Sequence, residues 1–292
     1  MNADRVAERR LSPPPDRHPK TPKLKLPKSA CDTHVHIFGP QERFPLAPGR
    51  NLTVEDCTLD DLLTLQRAVG LERALLVQSF QHGHAYEYML DVLTRAPDRL
   101  RGITSPAPDV TDSEIDLMSK AGVVGARFAY PADPKLDTRM IDRLQDFGWQ
   151  THYFVHGPEQ LAAWRDAISA TPGKFVLEHM LWPPVAKGIA SAEFRFVLEC
   201  LDTGRCWVKL SPRFSAEKTL PFADTLPFIH ALVARHPERL LWGSDWPHPN
   251  YFDPMPNDGD LVDLIANWIP DAATRKLILS DNPAALFGFA PA

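Results

Sequence analysis

The chain has 292 residues, 44% of them hydrophobic and 24% charged, with a formal net charge of −5. Such a mixture can bury one large core, and the length suits a single α/β barrel, which typically takes ~250 residues. No basic run in the body of the chain favours nucleic acid, and no apolar run reaches the ~20 residues of a membrane span.

Residues 1–28 differ from the rest. From Leu11 to Lys28 the chain is proline-rich and basic, with little apolar material to bury and no continuous apolar segment of a secretory signal. An extended or mobile arm is expected there, with packing on a neighbouring subunit as one use, ahead of a single barrel domain over 29–292. Cysteines stand at 31, 57, 200 and 206 without a C-x-x-C pair, as expected of buried or incidental thiols in a cytoplasmic protein.

From residue 29 onward, short apolar runs alternate with segments of helical period. The first run, 31–38, carries His34 and His36. Alternate residues of a strand share a face, so both imidazoles are expected to point the same way, with Asp32 behind them. A loop over 39–57 leads to a helix with Leu59, Leu62 and Leu63 on one face. A second strand is expected over 73–80 and its helix over 85–96. A third strand over 100–105 precedes a helix that Asp112 is expected to cap. Strand four is expected over 123–130, with a helix to 147. Strand five is expected over 150–156, with Pro158 opening the next helix. Strands six, seven and eight are expected over 174–179, 206–211 and 240–244. Their helices carry Phe194, Val197, Leu198 and Leu201, then Ile229, Leu232 and Val233, then Leu261, Leu264, Ile265 and Trp268. A closing helical segment starts at Ala272.

Eight strands, each followed by a helix, describe a (β/α)8 TIM barrel. A doubly wound sheet would carry a glycine-rich phosphate loop after its first strand, and that turn here is Phe38-Gly39-Pro40.

Barrel sites are built at the C-terminal strand ends. Collected there are His34 and His36, then Gln78, His82 and His84, then Arg127. His152 and His156, Glu178 and His179, then Lys209, Ser211 and Arg213 come next, and Ser244 and Asp245 complete the set. A single histidine at such a place is more often a hydrogen-bonded structural residue than a catalyst. Asp245 could merely cap a turn, and Lys209 could be an internal partner of Asp32 or Glu178. Trp207, Trp242 and Trp246 read as packing. The convergence of His-x-His, His179 and Asp245 is what argues for a site.

In this setting D-T-H-V-H, E-H-M and W-G-S-D-W-P-H-P-N resemble the amidohydrolase superfamily, and within it the branch of 2-pyrone-4,6-dicarboxylate lactonase and sugar-acid lactonases. F-G-P-Q-E-R-F-P at 38–45, L-V-Q-S-F-Q-H-G at 76–83, G-A-R-F at 125–128 and D-N-P at 281–283 extend the likeness.

The resemblance implies an amidohydrolase-type barrel hydrolysing a carboxylate-bearing lactone in aromatic-compound catabolism. Asp245 would be the general base toward water, and His34, His36 and His179 would polarise the carbonyl and hold the oxyanion. Arg127 and Arg213 would pair with substrate carboxylate, with His82, His152 and Ser79 as further substrate contacts. Three positions depart from the branch. Tyr130-Pro131-Ala132-Asp133-Pro134 replaces the stretch that holds a second arginine, Phe154 replaces a tyrosine, and Leu181 replaces a glycine. A mono-acid lactone or muconolactone-like ester is therefore expected rather than pyrone dicarboxylate.

Metal-using members of the superfamily hold a divalent ion at the strand-one histidines and the strand-eight aspartate. A binuclear centre needs a bridging residue on strand four, where this chain has Arg127. The lactonase branch works without metal, so no cofactor is expected. A single zinc or manganese ion on His34, His36, Asp245 and His152 or His179 is the alternative. Zinc-dependent decarboxylation of an aromatic or enol acid, lactone isomerisation, and a binding barrel without catalysis are the competing readings. The expected partners are a small lactone or carboxylate and further copies of the chain, with no nucleic acid and no membrane.

Overall fold

The computed structural model describes residues 10–129 and 136–291. Eight parallel strands succeed one another around a barrel: β1 (Cys31–Val35), β2 (Arg73–Val77), β3 (Leu100–Thr104), β4 (Val123–Ala129), β5 (Gln150–Phe154), β6 (Phe175–Leu177), β7 (Cys206–Leu210) and β8 (Leu240–Trp242). The ring closes where Val35 bridges Trp246, with His36 N donating to Trp246 O and Asp245 N to His34 O. Gly243 lies at this seam. A Cβ there would stand 2.6 Å from the His34 Cβ, so the approach admits only glycine.

Helices α1 (Leu59–Val69), α2 (Glu87–Arg95), α3 (Asp112–Ala121), α4 (Thr138–Asp146), α5 (Pro158–Ala170), α6 (Ala192–Asp202), α7 (Leu226–Arg235) and α8 (Asp258–Trp268) alternate with the strands. Thr111, not Asp112, caps α3. Its hydroxyl accepts from Glu114 N while the Glu114 carboxylate accepts from Thr111 N. The cap must be the extended residue just outside the first turn, from which a side chain reaches the third helical N–H. Pro158 opens α5 as expected.

Several strands stop before the apolar runs do: β2 at 77, β5 at 154 and β8 at 242. The remaining residues belong to the loops at the barrel mouth, where Gln78, Ser79, Val155 and Ser244 are buried and Phe80 and His156 are exposed. The lower interior is filled by Cys31, Leu75, Val77, Ile103, Val176, Trp207 and Leu241. Two closing helices, α9 (Ala272–Lys276) and α10 (Asn282–Phe287), come last, and Leu286, Phe287 and Phe289 seal the floor, where Gln150 Nε2 donates to Leu286 O at 2.9 Å.

A bulge in β1 sets the site. Asp32 pairs with Ala74 and Val35 with Leu76, so Thr33 and His34 together face Leu75. The extra residue breaks simple alternation and re-aims the side chains beyond it, a device common beside active sites. Asp32 therefore does not stand behind His34 in regular alternation. Its Oδ1 accepts from His34 N and Ser244 N, each at 3.0 Å, and pins β1 to the end of β8.

Residues 10–28 run along the chain's own barrel. Arg10–Leu11 pairs in parallel with Leu52–Thr53, Lys20 N donates to Asn257 Oδ1 and Leu24 N to Asp263 Oδ1. All four cysteines are free and buried. Among the described residues, no helix is long and apolar enough to cross a membrane. The stretch from Tyr130 to Pro134, where a second arginine is replaced, lies outside the described residues.

Candidate active site

The loops that carry the polar residues adopt backbone shapes that side chains resist. His179, Met180, Leu181 and Trp182 all have positive φ, between 48° and 57°, and Asp245 has φ 71°. Left-handed backbone costs a non-glycine residue roughly 1–2 kcal/mol, so it persists only where packing over-determines it. Met180 and Leu181 are buried and supply that packing.

The Asp245 carboxylate is the centre. Its Oδ1 lies 3.4 Å from His34 Nε2, 3.4 Å from His36 Nε2 and 3.9 Å from His179 Nε2, while Arg213 Nε pairs with Oδ2 at 2.8 Å. Burial alone would raise this carboxyl, but Arg213 and the histidines outweigh it and hold it well below the usual carboxylate range. Asp245 is therefore ionised.

Each imidazole is fixed from behind. His36 Nδ1 is 2.7 Å from Val77 O, an acceptor only, so Nδ1 carries a proton and the ring is held with Nε2 toward Asp245. His179 Nδ1 is 2.7 Å from Ser211 Oγ, and burial depresses the imidazole to about 3. Its Nε2 faces a carboxylate, so the neutral ring is favoured with its proton on Nε2. Burial and the adjacent Lys209 ammonium keep His34 neutral as well. Its Nδ1 is 3.3 Å from Lys209 Nζ.

Beneath this layer lies a closed charge network. Glu178, fully buried, accepts from Arg127 Nε at 2.7 Å and Lys209 Nζ at 3.4 Å, and His152 Nδ1 is 3.5 Å away. Burial would raise Glu178, and the two cations more than reverse that, holding it well below its usual range. Burial pulls Lys209 down to about 8 even so, which leaves it protonated at neutral pH.

Above Asp245 opens a cavity of about 540 Å³, counting its mouth. His36, His179, Asp245, Arg127, Arg213 and Ser79 line it. Phe80, Phe154 and Trp182 form an aromatic wall, and Asn51, Gln81 and Asn250 a polar rim; of these the sequence marked only Phe154, as the replacement of a tyrosine. Aromatics in loops read as core, and amides carry no motif. Phe80 and Phe154 also sandwich the Arg127 guanidinium, each ring centre 4.6 Å from its carbon.

Other expected residues lie elsewhere. His34 is fully buried and borders Asp245 rather than the cavity. His152 sits under the site against Glu178, with burial depressing it to about 4. His82 stacks on Phe38 at 5.3 Å beside α2, away from Asp245, because the short turn over Phe80–His82 rotates it outward. His84 is exposed and bonds Ser105 O, and His156 packs against Trp182. Trp207, Trp242 and Trp246 are buried packing residues, as expected.

Among the described residues, two groups could present donor atoms to a metal ion: His34, His36 and Asp245, or His34, Glu178 and His179. His152 belongs to neither. A tetrahedral zinc site with bonds of ~2.0–2.1 Å has ligand–ligand edges of about 3.3–3.4 Å. The 3.4 Å separations from Asp245 Oδ1 to His34 Nε2 and His36 Nε2 match that edge. The environment of His34 does not. A ligating Nε2 requires a proton on Nδ1 and an acceptor beyond it. Here Nδ1 meets the Lys209 ammonium, which has no lone pair, and Glu178 Oε1 is 3.7 Å away. His34 Nε2 therefore lacks the backing acceptor that a ligating histidine uses.

A sequence profile described as Amidohydrolase matches residues 31–289. The chain is 37% identical to a 4-sulfomuconolactone hydrolase of Rhizobium radiobacter over 90% of its length and 91% of the relative's. It is 33% identical to a 2-pyrone-4,6-dicarboxylate hydrolase of Comamonas testosteroni, covering 92% of this chain and 93% of the other. Among solved structures, a candidate 2-pyrone-4,6-dicarboxylic acid hydrolase from Pseudomonas putida superposes with TM-score 0.76 at 28% identity, over 91% of this chain and 100% of that one.

Proposed function

The chain belongs to the amidohydrolase family, and from that premise we propose that it hydrolyses a lactone bearing an anionic group. The single observation that carries this reading is the Asp245 carboxylate, ionised by Arg213 and ringed by imidazoles, of which His34 and His179 are kept neutral by burial, at the floor of a polar cavity.

The proton positions dictate the chemistry. Water held beside Asp245 Oδ1 donates one hydrogen to that carboxylate, so its oxygen lone pair is turned toward the substrate carbonyl. Asp245 takes a proton as the water oxygen bonds the carbonyl carbon. The oxygen that becomes negative is met by the His179 Nε2–H, a preorganised donor in a water-poor site. The tetrahedral adduct collapses, the ring C–O bond breaks, and the departing oxygen recovers the proton from Asp245. A ring-opened acid results. His34 has a different part from the one the resemblance implies. It holds Asp245 from below.

Arg213 and Arg127 supply positive charge for the substrate's anionic group, and the wall of Phe154 and Trp182 covers an apolar ring face. Among the described residues the polar rim is made of amides rather than a further cation, which suits a substrate with one anionic substituent, such as a muconolactone.

Zinc-dependent decarboxylation on the same barrel needs His34 Nε2 as a ligand, the atom that carries the proton in the pairing with Lys209. The deciding experiment is turnover of a panel of muconolactones, pyrone carboxylates and sugar-acid lactones before and after chelation, with zinc and manganese measured on the protein. Ring opening by metal-free protein, abolished in Asp245→Asn, is the expected result. Carbon dioxide release that requires zinc would overturn it, and an isomeric lactone as sole product would move the activity to isomerisation.

A further inference from the structure

Lys209 is the buried cation that the reaction above does not use. It reaches from β7 into the barrel interior with no exposed surface, and its Nζ is 3.3 Å from His34 Nδ1 and 3.4 Å from Glu178 Oε1. An ammonium has three donors and no acceptor, so both neighbours must accept from it. Glu178 can. For His34 the consequence is specific: an Nδ1 that accepts leaves the ring proton on Nε2. The competing tautomer would send Nδ1–H to Glu178 Oε1 at 3.7 Å, beyond hydrogen-bond range, and would set that N–H against the ammonium's own hydrogens.

The far nitrogen is consistent with this. His34 Nε2 is buried with no hydrogen-bond partner of good geometry, and Asp245 Oδ1 stands 3.4 Å away. A buried N–H directed at an anion is favourable, whereas a buried lone pair there would be repelled. The same atom is the one that a divalent ion would need, since the His34, His36 and Asp245 donors otherwise have the edges of a zinc site.

We propose that Lys209 is a positioning residue that locks His34 as its Nε2–H tautomer, so that His34 holds the Asp245 carboxylate for water activation and is denied to zinc. The inference deepens the lactonase reading and rests on it only for the role of Asp245. The metal-excluding half stands on the Lys209–His34–Glu178 geometry alone.

The experiment titrates zinc chloride into the intact chain by calorimetry, for the wild type, Lys209→Met and Lys209→Arg, and measures kcat and KM of each on the best lactone. In Lys209→Met, His34 Nδ1–H can turn to Glu178, freeing Nε2. Zinc affinity is then expected to rise at least tenfold, and kcat to fall at least tenfold with KM within about twofold. Lys209→Arg, which keeps a donor, is expected to stay near wild type in zinc affinity and to recover part of kcat. Long-range nitrogen–proton spectra of the histidines provide a direct reading, with His34 protonated on Nε2 in the wild type and on Nδ1 in Lys209→Met. Should Lys209→Met fail to fold, the wild-type zinc isotherm and the wild-type His34 spectrum still test the lock. Unchanged zinc affinity in Lys209→Met, stoichiometric zinc on the wild type, or an Nδ1–H signal for wild-type His34 would each overturn the proposal. If no lactone is turned over, the zinc isotherms and the spectra still test the lock, so failure of the lactonase reading and failure of the lock are separate outcomes.

Discussion

Arg127 Nε donates to Glu178 Oε2 at 2.7 Å, so the arginine that lines the cavity is held by a carboxylate beneath the cavity floor. The pair is almost wholly buried, and each ion depends on the other for its solvation. Removing one partner of a buried pair costs roughly 3–5 kcal/mol, because the survivor is left uncompensated. Arg127→Met is therefore expected to lower the thermal midpoint sharply. Arg127→Lys keeps a cation beside Glu178 and should recover part of that stability. Equal midpoints for Arg127→Met and wild type in a melting experiment would show that the network carries no such dependence.

The barrel was legible because its strands are short continuous apolar runs separated by helix-period segments, a pattern that survives without tertiary information. His34, His36, His179 and Asp245 were legible because strand ends of a barrel meet at one face. The pairing of Arg127 with Glu178 was not, since nothing at a separation of 51 residues marks two charges as partners. His82 stood at the right strand end, yet a short turn carried it to Phe38. The bulge at Thr33 and His34 was equally invisible, because the extra residue shows only in the register with β2.

Asp32 gives a pH signature of stability. Burial raises its carboxyl to about 7, against the hydrogen bonds from Ser244 and His34, and its Oδ2 has no partner. Between the unfolded carboxylate value near ~4 and about 7, the folded chain holds a proton that the unfolded chain has released. The contribution is thus complete below the unfolded value and is lost as pH rises through this window. Asp32→Asn keeps the accepting oxygen without the charge. It is expected to melt like wild type near pH 4 and to gain on the order of 1–3 kcal/mol over it at pH 8. A wild-type advantage at pH 8 in matched melts would contradict this sign.

Arg213 controls the acid limb of activity. With the guanidinium 2.8 Å from Oδ2, Asp245 stays ionised well below the usual carboxylate range. A base works only when deprotonated, so the wild-type kcat profile should be flat down to about pH 4. In Arg213→Met burial is no longer offset by that charge, and the acid limb should move up by at least one unit. KM should rise as well, since the same guanidinium faces the cavity. An acid limb that does not move would separate Arg213 from the base.

Ser211 tests which proton His179 presents. The hydroxyl is 2.7 Å from His179 Nδ1 and can donate to it, which leaves Nε2–H as the donor toward the cavity. In Ser211→Ala the neutral ring regains both tautomers, and the one with a bare Nε2 would repel the developing oxyanion. Because His179 acts on the transition state more than on the bound lactone, kcat should fall about tenfold while KM changes little. Ser211→Thr keeps the hydroxyl and should restore most of the loss. If Ser211→Ala instead raised KM with kcat intact, His179 would be contacting the ground-state substrate and the oxyanion donor would have to be sought at Arg127 or Arg213.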